Sequence, residues 1–519
     1  MTNFLLYKKK FLRKGSVACL LSLLIGGLSS CTKNFEELNT NPDATSELTP
    51  AYVFSLAQYN GAGDNLMLLM GTMQYTTSFN DVAGFGSKYI ASQYASSNTT
   101  YNNAYHNEVN QINMVLDKLR QDSASNHVEI AIARIWRVFC FSRLTDLYGD
   151  VPYSQAGEGY SQSNYKPAYD KQKDIYNDML NELSSSVQLL DKNSSTFAGG
   201  DLLYKGNASQ WKRFAGSLML RLGMRLTKVD IASAEKWVKQ AIGGDLIMTE
   251  SDAAIIKNYV ATGQPINRNP IAYSLWNADY IYANGTSNPE GGKYQEVFIN
   301  RLKNYNDPRL KVLSVVYVNG VADTSMAIQK GMPSTLSAKP ANFVTYSEPN
   351  QKTILKQDGP LYIFGAAEVQ FLLAEAALRG WYSTATPSDL YIAGIDAAMK
   401  RWANYGSDGN ISNTEIEAYI HAHPLQTSGS MASQLEQIYS ELWVELVTNP
   451  VESFAYYRRT GYPNLTPNNY PGNATGGKIF RRMLYPISEQ NLNTDNYNAA
   501  IADQGSNDFM TRIWWDKSN

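Results

Sequence analysis

Cysteine and histidine are scarce in this chain of 519 residues, which holds three of the first and four of the second. Cys140, in "RIWRVFCFSRL", has no partner left once Cys19 and Cys31 are assigned to an N-terminal export segment, so the fold must rest on packing rather than on a disulfide. Its apolar helical surroundings mark Cys140 as a buried, inert core residue. Zinc chemistry has little to build on, because the close pair His421 and His423 in "YIHAHPL" lacks a third ligand at a recognisable spacing. H-E-x-x-H, G-x-S-x-G and the phosphate-cradling G-x-x-x-x-G-K-[ST] are also missing. No metal, cofactor or catalytic residue is expected. An excess of positive charge is absent too, with 45 basic against 47 acidic residues, which excludes the basic stripe of a nucleic-acid binder.

The chain also lacks the run of about 20 apolar residues that a membrane-spanning helix requires. It has a shorter run instead. Lys8, Lys9, Lys10, Arg13 and Lys14 precede an uncharged, mostly apolar stretch from Val17 to Leu28, the layout of a secretory signal. Leu28-Ser29-Ser30-Cys31 then resembles a bacterial lipobox, so residues 1–30 are expected to be removed and Cys31 to carry the lipid. Several acyl chains anchor a protein stably where one is marginal. Losing the five bases of that signal would leave 40 basic against 47 acidic residues. Residues 31–49, polar and rich in Asn, Thr and Pro, read as a tether, and 50–519 as a single domain.

Tyrosine is plentiful, 35 residues against 17 Phe and 9 Trp. Its flat apolar face and polar tip suit half-wet surfaces, including those that meet the C–H faces and hydroxyls of sugars. Helical periodicity dominates the pattern. It predicts a first helix from Pro50 to about Leu69, one through Val109, Ile112, Leu116 and Leu119, a buried central helix over 128–147, and one through Ile175, Met179 and Leu183. Gly149 and Pro152 end the central helix. Trp211, Phe214, Ala215 and Leu218 match the first-helix pattern of a tetratricopeptide repeat, with a partner helix running to Gly243. "FGAAEVQFLLAEAALRG" with "DLYIAGIDAAMKRW" forms a second such pair, and 431–448 another helix. Residues 75–103 lack a helical period, 258–364 read as a loop-rich insertion with a few short strands, and a Tyr-, Asn- and Pro-rich tail follows 448.

"FEELNTNPDATSELTP", "LTDLYGDVPYSQA", "NDPRL", "EVQFLLAEAALRG", "RRMLYPISEQNLN" and "TRIWWD" occur in this order across nearly all of the mature chain. Together they resemble the SusD/RagB family of Bacteroidota outer-membrane lipoproteins, in its SusD-like second subgroup. The resemblance implies a mostly α fold: tetratricopeptide-like helix pairs, four of them, in a right-handed superhelical scaffold with loop-rich insertions and a few short strands. It implies a lipid-anchored protein on the outer face of the outer membrane, partnered with a SusC-like TonB-dependent β-barrel transporter. Such a protein captures a nutrient, most often an oligosaccharide, and delivers it to the barrel. The alternatives are a peptide-binding lid of such a transporter and a surface glycoside hydrolase. Charged Lys33, Glu36 and Glu37 after the lipid cysteine resemble a surface-export signal.

A sugar-binding surface needs aromatic platforms and planar polar side chains. Two irregular stretches supply them, at the places where family members build their ligand face. The first, 75–94, offers Tyr75, Phe79, Asn80, Asp81 and Tyr94; the second, 267–282, offers Asn269, Tyr273, Trp276, Asp279 and Tyr280. Arg309 is expected to pair or cap near a turn, and Asp516 to sit in a packed C-terminal plug. Glu368 and Glu375, seven apart on one helical face, are expected in solvated or inter-helix roles rather than in acid–base work.

Overall fold

A computed structural model of the chain describes residues 49–62, 67–79, 86–91, 96–190, 196–261, 264–277 and 292–518. The export signal, Cys31, the rest of the tether, and Asn80, Asp81, Tyr94, Asp279 and Tyr280 lie outside the described residues.

Apolar side chains at steps of three and four generate three successive helix pairs. In the first, α1 (Pro50–Ala62) packs on α2 (Asn110–Leu119), which turns Ile112, Val115, Leu116 and Leu119 inward. In the second, α3 (His127–Tyr148) packs on α4 (Gln172–Leu189). Helix α3 is apolar nearly all round and buries Ile132, Ile135, Trp136, Phe139 and Phe141; Cys140 is buried with them. Gly149 ends it at φ 86°, where a side chain would be strained and where an added Cβ would strike the Gln504 amide. The third pair is α5 (Ala208–Arg225) on α6 (Ile231–Ile242). Asn207 caps the start of α5 through the Ser209 and Gln210 N–H groups, and Asp230 caps the start of α6 through Ser233, just after the α5–α6 connection.

The insertion follows. Strands β2 (Ala254–Ile256) and β9 (Leu361–Phe364) pair antiparallel at its base. Between them lie the hairpin of β3 (Tyr259–Ala261) and β4 (Gln264–Asn267), helix α7 (Pro270–Asn277), β5 (Lys293–Tyr294), helix α8 (Glu296–Asn304), and a small sheet of β6 (Ser314–Val318), β7 (Val321–Asp323) and β8 (Glu348–Pro349). A fourth helix pair closes the scaffold: α9 (Ala366–Leu378) on α10 (Pro387–Lys400), the latter started by a Thr386–Asp389 capping box. Helices α11 (Asn413–Ala422), α12 (Met431–Glu445), α13 (Pro450–Thr460) and α14 (Thr494–Gln504) complete the chain. Among the described residues no helix is long and apolar enough to cross a membrane.

The second, third and fourth pairs are joined across their interior by a buried ionic chain. Arg221 of α5 makes a two-point pair with Glu368 of α9, Nε–Oε1 2.6 Å and Nη2–Oε2 2.7 Å. Arg225, one turn on, reaches Asp146 of α3 at 3.2 Å and Glu452 of α13 at 2.6 Å. Glu375 of α9 pairs with Arg459 of α13 at 2.7 Å and with Arg379. Both glutamates are therefore inter-helix groups, the second of the two roles expected of them, and neither is solvated: Glu375 is wholly buried and Glu368 is 3 % exposed. Arg309 pairs with Asp307 and with Glu441 of α12 at 2.6 Å each. At the C-terminus, Asp516 is buried against Arg481 and Arg512, and the Trp515 indole donates to Asp146 at 2.8 Å.

Some elements differ from the sequence-based expectation. The first helix stops at Ala62, and a separate one spans Met67–Thr72. Residues 96–103, read as irregular, are helical. The insertion carries α7 and α8 as well as strands, and the supposed tail after 448 contains α13 and α14. Helix α13 has the ordinary signals, Pro450 in its first turn and Gly461 in the left-handed conformation at its end, but its buried face includes Arg458 and Arg459. Two adjacent arginines read as a solvated face unless their buried partners are known.

Candidate ligand-binding surface

Local pairing ties the first aromatic stretch to residues 293–295 of the insertion. Strand β1 (Thr76–Thr77) lies antiparallel to β5, with Thr76 opposite Tyr294 and Thr77 opposite Lys293. Gln295 reinforces the ribbon: its N–H donates to the Tyr75 carbonyl at 2.8 Å and its side-chain amide to the Thr76 carbonyl at 2.8 Å. One end of the ribbon leads into 80–85, and the segment 278–291 returns into the other strand. Beneath the ribbon, Lys293 forms a buried ion pair with Glu348 and lies 4.7 Å from the Phe343 ring centroid. Burial lowers the Lys293 ammonium from its ordinary range, against the pull of Glu348. Phe79 meets Phe343 edge to face at 5.3 Å, and Lys88 donates to the Phe79 carbonyl at 2.9 Å.

These contacts correct three of the expected ligand residues. Tyr75 is core: it stacks on Trp443 with ring centroids 5.1 Å apart, and its hydroxyl donates to the Trp443 carbonyl at 2.6 Å. Phe79 belongs to a small apolar cluster with Met332, Phe343 and Tyr346. Asn269 caps α7, its side-chain oxygen accepting from the Ile271 and Ala272 N–H groups, while its amide donates to the Gly359 and Pro360 carbonyls. All three are buried. Trp276 lies in α7, and its side chain is outside what is described.

Tyr273 is different. It is half-buried, and the Arg268 guanidinium lies over its ring at 3.0 Å from the centroid. Tyr59 of α1 donates from its hydroxyl to the Arg268 carbonyl at 3.1 Å, joining the first helix to the insertion. Burial raises the Tyr59 phenol, with Arg268 acting in the opposite direction. In the β3–β4 hairpin Tyr259 sits opposite Asn267, next to Arg268, and is 66 % exposed. Arg268 thus meets Tyr273 through its guanidinium and Tyr59 through its carbonyl, and exposed Tyr259 stands opposite the neighbouring Asn267. Sequence reading named Tyr273, in the stretch that also holds Arg268, but missed Tyr59, in a helix that looked purely structural, and Tyr259, just outside the chosen stretch. An arginine among phenol rings can meet a sugar by stacking and by donated hydrogen bonds; it holds no nucleophile or acid–base pair.

Among the described residues no group of three His, Cys, Asp or Glu side chains could hold a metal ion. His423 instead bonds through Nε2 to the Tyr305 carbonyl at 2.8 Å. The carboxylates that might imitate a glycosidase pair are committed to arginines. Burial would raise the Glu375 carboxyl, but Arg459 and then Arg379 outweigh it and hold the group down at about 2.

A family model named SusD-like_2, described as starch-binding and associating with outer membrane, matches residues 41–486. No curated protein matches the chain. Among solved structures, a chitin-binding protein is 29% identical with a TM-score of 0.76, over 91% of this chain and 100% of its own. A SusD-like protein from Bacteroidetes is 25% identical with a TM-score of 0.79, over 91% and 100%. A SusD homologue from Bacteroides fragilis, at 23% identity and a TM-score of 0.75 over the same shares, has the same fold.

Proposed function

The chain belongs to the SusD-like family of starch-binding proteins that associate with the outer membrane, and from that premise we propose that it is a surface lipoprotein, anchored through Cys31, that captures an oligosaccharide. It hands the sugar to a SusC-like TonB-dependent barrel in the same membrane. The observation that carries this reading is the β1–β5 ribbon, which ties the early aromatic loop to the central insertion so that the two can present one face. Asn80, Asp81, Tyr94, Trp276, Asp279 and Tyr280 are proposed to contribute to that face, with Tyr273 and Arg268 at its edge. The chitin-binding protein of similar fold supports a carbohydrate over a peptide. The chain binds and delivers; the buried commitment of Glu368 and Glu375 speaks against the hydrolase alternative.

Calorimetric titration of the full chain with maltohexaose and with N-acetylchitohexaose tests the capture step. Saturable binding of either is expected, and no heat with both would overturn it. Protease treatment of intact cells tests the location, where digestion is expected and protection would place the protein on the inner side.

A further inference from the structure

A second concavity shares no residue with the surface just described. A cleft of about 970 Å³ opens between the turn at Tyr305–Pro308, the β6–β7 hairpin and α11. That volume lies at the upper end of the ~300–1,000 Å³ typical of ligand sites. One wall is aromatic. The His423 ring lies 4.9 Å from Tyr305 and 4.5 Å from Tyr419, centroid to centroid. The Arg301 guanidinium, 3.5 Å from the Tyr305 ring centroid, backs this wall and is itself paired with Glu441 at 2.6 Å. Asn306, at φ 48°, makes the left-handed turn that leaves Tyr305 41 % exposed.

The opposite wall is the hairpin. Val318 and Val321 expose apolar surface there, followed by Asp323, Thr324 and Ser325. A hydrogen bond from the Ser325 side chain, then one from its backbone, holds the Asp323 carboxyl below its ordinary range, so it remains an ionised acceptor. At the rim Lys311 pairs with Glu415 at 2.5 Å, with both side chains part-exposed. With Asp307 paired to Arg309 and Glu415 to Lys311, Asp323 leaves the cleft mildly negative, which gives no purchase to a polyanion. An aromatic wall facing a fringe of carboxylate and hydroxyl groups suits a ligand with apolar ring faces and a belt of hydroxyls.

We propose that this cleft is a second carbohydrate-binding site, with a sugar ring against the Tyr305–His423 wall and its hydroxyls bonded to the Asp323–Ser325 segment at the end of the hairpin. Two grips on one glycan would raise overall affinity by effective concentration, without new contacts at either. The proposal rests on other residues than the loop face, so the two readings fail separately.

The test uses the full chain carrying Tyr259→Ala and Arg268→Ala, titrated with maltohexaose and N-acetylchitohexaose. Saturable binding is expected to remain and to weaken at least about tenfold, a clear calorimetric change, when Tyr305→Ala is added. Ser325→Trp, in the exposed segment just after the hairpin, is expected to do the same by filling the cleft, and guards against a folding defect at Tyr305. The proposal is overturned if no binding of either sugar remains in the double variant, or if the remaining affinity is unmoved by Ser325→Trp. Persistence of the full wild-type affinity in the double variant, followed by its loss on Ser325→Trp, would support the cleft and refute the Arg268 surface.

Discussion

Thr77 stands directly opposite Lys293, in a two-stranded ribbon that joins parts of the chain far apart in sequence. Lys293 is wholly buried against Glu348, so the joint is electrostatic as well as hydrogen-bonded. Lys293→Ala would leave the Glu348 carboxylate buried without its cation, a loss of about 3–5 kcal/mol for such pairs. Urea unfolding should show that loss, and the double variant with Glu348→Ala should recover part of it. Equal stability of the single variant and wild type would mean that the pair does not hold the ribbon.

Acid should act through Glu375. Its carboxyl is held at about 2 in the folded chain, below the ordinary value of 4.5. Because the folded value is depressed, its stabilising contribution is present above about pH 4.5 and is lost as pH falls from there toward 2. Glu375→Gln should be less stable at neutral pH and should flatten the acid limb of stability against pH. An unchanged acid limb would count against the Glu375–Arg459 pair as its source.

Burial drives Glu445 the other way, raising its carboxyl to about 8 although Arg401 opposes the shift. A raised folded value means that stability falls as pH rises from about 4.5 through 8. Glu445→Gln, which cannot ionise, should remove that decline, and thermal unfolding at pH 5, 7 and 9 would show it. A decline of the same slope in the variant would contradict the assignment.

Tyr75 separates a core role from a ligand role. Tyr75→Phe keeps the stack on Trp443 but removes the hydroxyl that bonds the Trp443 carbonyl and contacts Ser453 at 2.7 Å. Leaving those partners unsatisfied should cost about 1–3 kcal/mol, with sugar affinity unchanged. A fall in affinity without a fall in stability would return Tyr75 to the binding face.

The helix pairs were legible in the sequence because an amphipathic period survives any surroundings. Trp211, Phe214 and Leu218 announce α5, and Ala374 on α9 marks a close-packed helix. The candidate site was legible at the level of stretches, not of residues. Tyr75, Phe79 and Asn269 look like platforms when only composition is visible; their burial depends on Trp443, Phe343 and Gly359, contributed from distant parts of the chain. The ionic chain through Arg221, Arg225 and Glu452 was hidden for the same reason, since buried and solvated charges have the same letters. The β1–β5 pairing, two residues on each side, is too short to leave a period at all.

The most direct measurement is calorimetry on the full chain with residues 80–85 and 278–291 replaced by Gly-Ser linkers of equal length. Both segments leave from elements anchored in the core, so the melting temperature should hold. Wild type should bind maltohexaose or N-acetylchitohexaose, and the variant should lose the tighter binding step. Undiminished affinity in a folded variant would contradict the proposal that these two segments, whose adjoining strands pair at Thr77 and Lys293, form the capture face.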